Sequence, residues 1–121
     1  MASPILERKN INYALHLKRE KKFPSVVVGA EYSYFKKVCR SGPISPNLIV
    51  DSLRNKLLRI GDLYSEVNGN SIGCCAEVNS ANKILILRPF VPLKAISFSK
   101  PIRPRTMQEV PVCKNCKLTF R

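Results

Sequence analysis

The sequence contains no long hydrophobic run, no internal repeat and no low-complexity tract. A membrane-spanning helix needs about 18 or more consecutive apolar residues, so we expect no segment of this chain to cross a bilayer. The N-terminal residues also lack the charged segment and apolar core of a secretory signal, so we expect no signal peptide there. With 121 residues, of which 45% are hydrophobic and 24% charged, the composition predicts one globular domain over residues 1–121.

Acidic residues are scarce. Eight Asp and Glu stand against 21 Lys and Arg, which gives a formal net charge of +13. The excess is spread along both halves of the chain rather than concentrated in a tail. Such a domain suits a polyanionic partner, because its cations replace the counterions condensed on phosphates. We therefore predict nucleic acid as the partner, and the alternative is a basic surface that only confers solubility.

Histidine occurs once, as His16, and its place in the first predicted helix indicates a structural or solvated side chain. Cysteine is more frequent, at positions Cys39, Cys74, Cys75, Cys113 and Cys116. An odd number of cysteines does not form a complete disulfide framework. The last two form a C-x-x-C motif, and in a basic chain without a signal peptide this spacing is typical of metal binding or redox chemistry.

Residue patterns predict a domain of the α/β class, a small mixed sheet with a β-hairpin and helices on its faces. The predicted helices are residues 4–18, 46–60 and 75–87, with a short helix from residue 113. The predicted strands are residues 25–28, 34–39 and 93–99. Residues 67–73 and 100–112 are predicted loops.

The chemistry-bearing residues fall at the starts of two predicted helices. Cys75 and Glu77 begin one helix, and Cys113 and Cys116 begin another. Helix N termini stabilise thiolates, so three thiolates would converge if the two helix ends meet. Three protein ligands leave the fourth tetrahedral position of Zn²⁺ open for water, as in catalytic zinc sites. Glu77 is poorly placed to bind the same ion but could move a proton of that water.

These motifs resemble the signature of the zinc-dependent nucleoside and nucleic-acid deaminases, a His or Cys followed by x-Glu and later Pro-Cys-x-x-Cys. Cys75-Ala76-Glu77 matches the first half in its cysteine form, and the C-x-x-C motif matches the second, with Val112 inserted after Pro111. The segment Cys-Ala-Glu-Val-Asn-x-Ala-Asn-Lys, followed by Pro-x-Cys-x-Asn-Cys, most resembles the C-terminal deaminase domains of bacterial polymorphic toxins. The resemblance implies a three-layer α/β/α fold with the zinc site at the N termini of two helices.

The resemblance further implies hydrolytic deamination of cytosine to uracil. Cys75, Cys113 and Cys116 would hold one Zn²⁺ per chain, and Glu77 would relay protons to the ring and the leaving ammonia; attack on adenine is the less favoured variant. The resemblance also implies a monomeric toxin domain that acts in the cytoplasm of a target cell. An acidic immunity protein would then be its partner, because the surface to be masked is basic.

The basic charge favours a polymer over a free nucleoside as the substrate, because only a polymer gains affinity from so many cations. Single-stranded DNA is the first choice, since a deaminase must reach a base outside the stack. RNA and free nucleoside are the alternatives. Arg103 and Arg105, which precede the second motif, are predicted to contact backbone phosphates.

Further candidates for substrate contacts lie near the predicted site. Asn70 and Ser71, in the predicted loop 67–73, could read the edge of the base or the sugar. Tyr32 and Tyr34 could stack on flanking bases, although aromatic residues in a strand equally suit the core.

Other interpretations of the cysteines stay open. Cys39 or Cys74 could supply a fourth ligand and close a structural zinc site in a non-catalytic nucleic-acid-binding module, with Glu77 an ordinary first-turn glutamate. The C-x-x-C motif could instead be a redox pair, although no thioredoxin-like context precedes it. The open fourth ligand position and the role of Glu77 distinguish these interpretations.

Overall fold

Four α-helices and seven short strands make up the regular structure of residues 2–120, the part of the chain that the computed structural model describes. The helices are α1 (Pro4–Arg19), α2 (Asp51–Leu58), α3 (Ala76–Leu87) and α4 (Lys114–Phe120). The strands are β1 (Val27–Tyr32), β2 (Phe35–Arg40), β3 (Glu66–Val67), β4 (Asn70–Ser71), β5 (Ser97–Phe98), β6 (Ile102–Arg103) and β7 (Gln108–Glu109). No helix in residues 2–120 has both the length and the apolar character that a bilayer crossing requires.

Helix α1 begins as its sequence predicts. The Ser3 hydroxyl accepts a hydrogen bond from the Leu6 N–H at 3.2 Å, and proline occupies the first helical position, where no N–H is needed. The buried side chains recur at helical spacing and form the stripe that packs on the sheet: Leu6, Asn10, Ala14 and Leu17. His16 is exposed in the last turn of this helix.

The main sheet is built around β1. Strand β2 pairs along one edge of β1, from Val27 opposite Arg40 to Tyr32 opposite Phe35, while β5 and β6 pair along the other edge and β7 extends the sheet from β6. Every pairing among the described residues is antiparallel, so the prediction of a mixed sheet is wrong. The chain crosses from β2 through α2 and α3 to the second edge of β1, where β5 and β6 also run antiparallel to β1.

The two faces of β1 carry different parts of the core. Val27 packs with the buried side chains of α1 in a small cluster, and Ala30 belongs to the larger cluster formed with α2, α3 and α4. The sheet therefore has α1 on one face and the other three helices on the opposite face. Gly29 permits this packing, because a Cβ atom there would lie 2.7 Å from Leu6 Cδ1.

The predicted helix over residues 46–60 is divided in two. Pro46–Leu48 forms a 3₁₀ turn, and α2 begins only at Asp51. Between them Ile49 and Val50 are extended; Ile49 is buried, and the Val50 N–H donates to Asn82 Oδ1 at 2.8 Å. Helical spacing of the apolar residues does not reveal this break, because the partner of the Val50 N–H lies on another helix.

Four other boundaries differ from the sequence prediction. The predicted strand over 25–28 is β1 at Val27–Tyr32, which begins two residues later and continues past Gly29 because it pairs with β2 along its whole length. The predicted strand over 93–99 begins with a 3₁₀ turn at Leu93–Ala95, directly after Pro92, and only Ser97–Phe98 pairs with β1. The predicted loop over 100–112 contains the β6–β7 hairpin, and the predicted loop over 67–73 contains β4 and the second residue of β3. Strands β3 to β7 are each two residues long, too short to show a period-two pattern.

Candidate active site

Three cysteines from two helix ends form a cluster. Cys75 is the N-cap residue of α3, Cys113 immediately precedes α4, and Cys116 lies in the first turn of α4. Their Sγ atoms all lie within 4.8 Å of one another, and those of Cys75 and Cys113 are 3.3 Å apart. The prediction that these three residues converge is therefore confirmed.

The geometry and chemistry of the cluster suit a metal ion. Zn–S bonds of about 2.3 Å in a tetrahedral site place sulfur atoms roughly 3.8 Å apart, so small side-chain rotations would seat an ion. Thiolates favour Zn²⁺ and other soft or borderline metals over Mg²⁺ or Ca²⁺. Neither Cys39 nor Cys74 belongs to this cluster: Cys39 is buried on β2, and Cys74 lies beside the cluster. Among residues 2–120 the cluster thus offers three ligands.

Hydrogen bonds within the cluster favour a thiolate at one cysteine, Cys113, over the other two. Hydrogen bonds from Cys116 and Cys75 are the main causes that lower the pKa of Cys113 to about 3, and backbone N–H groups of Cys116 and Asn115 act in the same direction. The hydrogen bond to Cys113 is in turn the main cause that raises the pKa of Cys75 to about 12 and the pKa of Cys116 above its usual range. Cys113 is therefore the sulfur that most readily carries charge.

Glu77 is the second residue of α3 and lies in its first turn, next to the sulfur cluster. Its residue surface is only 5% exposed, yet it lines the same cleft as Cys75 and Cys113. The hydrogen bond to Cys113 dominates the raised pKa of Cys75 and Cys116, and the negative charge of Glu77 contributes to both. A carboxylate in the same cleft as the sulfur atoms can exchange protons with a molecule bound there.

The cluster opens into a cleft of about 820 Å³, which we call the site cleft. This volume lies in the range of ordinary ligand pockets. Of the predicted catalytic, metal-binding and substrate-binding residues, six line it: Asn70, Ser71, Cys75, Glu77, Arg103 and Cys113. The β3–β4 hairpin and strand β6 supply Asn70, Ser71 and Arg103, so polar and cationic groups line the same cleft as two of the cysteines.

Asn115, between the two cysteines of the C-x-x-C motif, fixes the β3–β4 hairpin beside the cluster. Its Nδ2 donates to the Val67 carbonyl at 2.8 Å, and its Oδ1 accepts from Asn68 Nδ2 at 2.9 Å. The side chain is 3% exposed. Sequence reasoning assigned this residue no role, because its partners lie more than 40 positions away.

Asn79 holds a second wall of the site cleft. Its Nδ2 donates to the carbonyls of Arg40 and Gly42, both at 2.9 Å. The Gly42 N–H in turn donates to the Cys74 carbonyl at 2.8 Å, which ties the segment after β2 to the start of α3. Sequence reasoning missed this function too, although Asn79 occupies the same face of α3 as Cys75, four residues earlier.

Two predicted substrate contacts lie elsewhere. Tyr32 and Tyr34 are not among the residues that line the site cleft. Ser25 and Val26, which immediately precede β1, line the cleft, so the last residue of β1 and the following turn lie at the far end of the strand. Tyr32 packs against the large core cluster, and Tyr34 is 93% exposed.

Arg105 does not line the site cleft, but it contacts a residue that does. Its guanidinium carbon lies 4.5 Å from the centre of the Phe23 ring, and Phe23 lines the cleft. Sequence reasoning did not select Phe23, because it lies in the connection between α1 and β1, far from either cysteine motif.

Comparisons of the chain with protein-family models, with curated proteins and with solved structures found no match.

Proposed function

We propose that this protein is a zinc-dependent deaminase that converts cytosine to uracil in nucleic acid, with single-stranded DNA as its preferred substrate. One observation carries the proposal: three converging cysteines and a buried glutamate lie together at a cleft large enough for a nucleotide. Three sulfur ligands leave a tetrahedral ion one open position, and the glutamate supplies the proton-transfer group that deamination requires.

Cys75, Cys113 and Cys116 would hold the ion in this proposal. When bound, Zn²⁺ supplies Lewis-acid activation of a water molecule at the open position. The two helix ends and the N–H of Cys116, which donates to Cys113 Sγ at 3.3 Å, fix the positions of the thiolates. A closed site with four protein ligands would lack room for the reacting water.

Glu77 moves the protons of the reaction. It takes one proton from the attacking water as the oxygen bonds to C4 of cytosine, and delivers that proton to N3 of the ring. It then transfers the second proton from the new hydroxyl to the exocyclic amino group. The C4–N4 bond breaks, ammonia leaves, and the C4 carbonyl of uracil forms. Water and cytosine thus give uracil and ammonia, with no oxidant or reductant.

The walls of the site cleft favour a nucleotide within a strand. Asn70 and Ser71 offer hydrogen-bonding groups to a base edge, and the cation of Arg103 suits a phosphate. The net charge of +13 raises affinity for a polymer much more than for a free nucleoside. The likeness to toxin deaminase domains in the sequence motifs supports a role as a toxin.

A direct test incubates zinc-loaded protein with cytosine-containing single-stranded DNA, the matching duplex, RNA of the same sequence and free cytidine. Nucleoside mass spectrometry then measures uracil. We expect uracil first and fastest in single-stranded DNA, with one ammonia released per uracil. Faster conversion of RNA or cytidine would correct the substrate. No uracil in any of the four, with zinc bound, would show that the protein is not a cytosine deaminase.

A further inference from the structure

A second cleft, of about 680 Å³, adjoins the site cleft, and we call it the flanking cleft. The two clefts share one wall: Phe23, Pro24, Ser41, Gly42 and Pro43 line both. The flanking cleft continues between α3 and the end of β2, past Arg40 and Lys83. A molecule longer than one nucleotide could therefore pass from one cleft to the other over this shared wall.

The flanking cleft is electropositive. Lys22, Arg40 and Lys83 line it, all three side chains are exposed, and no residue that lines it is acidic. Lys83 also contacts the inner surface of the cleft: burial raises the pKa of the Cys39 thiol, and the nearby Lys83 ammonium opposes that change. Three cations without a carboxylate among them suit a phosphate group.

An aromatic ring stands at the junction of the two clefts. Phe23 is 40% exposed, and the guanidinium of Arg105 lies 4.5 Å above the centre of its ring. Aromatic side chains in this setting stack on nucleic-acid bases of any sequence. The cation–π contact of Arg105 with the ring restrains the ring orientation, and its guanidinium adds a positive charge beside the same junction.

We propose that the flanking cleft binds the nucleotide next to the target cytosine in the same strand. The base of that nucleotide stacks on Phe23, and the adjacent phosphate contacts Lys22 and Lys83. This inference builds on the proposed function, since it takes a nucleic-acid strand as the substrate. It adds a binding site for a neighbouring nucleotide, and so explains how the protein distinguishes a strand from a free nucleoside.

Binding, rather than catalysis, provides the test. Fluorescence anisotropy measures the affinity of zinc-loaded protein for a labelled single-stranded DNA oligonucleotide over a range of salt concentrations. The slope of log K against log salt is negative, and for single strands each lost phosphate contact reduces its magnitude by about 0.7. We expect Lys22→Gln with Lys83→Gln, which removes both lysines from that phosphate, to reduce the magnitude of the slope by about 0.7, and Phe23→Leu to weaken binding at least about 5-fold at fixed salt.

A matched control carries the same charge change outside both clefts. Lys9→Gln with Lys94→Gln removes two lysines that line neither cleft, and we expect the parent slope from it. Equal slopes for the two double variants, or unchanged affinity in Phe23→Leu, would overturn the inference. Because binding is measured without turnover, this result is separate from the presence or absence of uracil. A protein that binds the strand through Phe23 and Lys83 but forms no uracil would refute only the deaminase function.

Discussion

Three sulfur atoms lie within 4.8 Å of one another at the ends of two helices, while the sulfurs of Cys39 and Cys74 lie outside that cluster. We therefore expect Cys75→Ser, Cys113→Ser and Cys116→Ser each to lose the ion, because a serine hydroxyl is a much poorer ligand for Zn²⁺. Elemental analysis of the purified variants measures this. The parent should contain about one zinc per chain.

Cys39→Ser and Cys74→Ser serve as controls, and both should keep parental zinc content. Cys74 is the sharper control, since it is adjacent to Cys75 and lines the site cleft. If Cys74→Ser loses zinc and Cys39→Ser keeps it, Cys74 is a fourth ligand. The site would then be closed and structural, and the proposed chemistry would have no position for water.

The donor set was predictable from the sequence because its spacing reflects local geometry. Two cysteines three positions apart at a helix start place both sulfurs near one point, and Cys75 lies at the start of another helix. That the two helix ends meet is a long-range fact, and it is confirmed. The identity of the metal and the proton-transfer role of Glu77 stay predictions.

At the scale of elements, the position of the β3–β4 hairpin depends on one buried amide. Asn115→Ala would leave the Val67 carbonyl and the Asn68 amide without their partner on α4. The loss of a buried polar partner costs about 1–3 kcal/mol, and we expect the free energy of unfolding to fall by that amount. Urea denaturation in saturating zinc measures it.

Asn55→Ala is the matched control, because Asn55 is exposed in α2 and alanine has the higher helix propensity. This variant should be as stable as the parent or slightly more stable. If Asn115→Ala unfolds at the same urea concentration as Asn55→Ala, the hairpin is not held by Asn115.

The longer elements could be predicted because their signals are local. A serine cap, a proline and buried residues at helical spacing predict α1, and a run of β-branched residues predicts the start of β1. The two-residue strands could not be predicted, since β5 exists only through its pairing with Ala30 and Glu31 at a separation of more than 60 residues. The same reason kept Phe23 and the wall after β2 out of the predicted site.

At the scale of the whole molecule, the charge of +13 predicts strong dependence of strand binding on salt. Arg103 is the exposed cation that lines the site cleft on β6. Arg103→Ala should reduce the magnitude of the negative slope of log K against log salt by about 0.7 and leave zinc content unchanged. Anisotropy titrations of a single-stranded oligonucleotide give the slope, and elemental analysis gives the zinc content.

Arg59→Ala removes an exposed arginine that lines neither cleft, and its slope should match that of the parent. If the magnitude of the slope decreases equally in Arg103→Ala and Arg59→Ala, the net charge of the protein acts as a diffuse field, and Arg103 makes no specific phosphate contact.

The most direct test of the deaminase compares uracil formation in single-stranded DNA by the zinc-loaded parent, by Glu77→Gln and by Glu20→Gln, a control at an exposed glutamate just after α1. An amide in place of the Glu77 carboxylate cannot accept the proton of the attacking water. We expect Glu77→Gln to keep its fold and zinc while its rate falls at least about 100-fold, and Glu20→Gln to match the parent. Uracil formed by Glu77→Gln at the parental rate, or no uracil from the zinc-loaded parent, would contradict the proposed function.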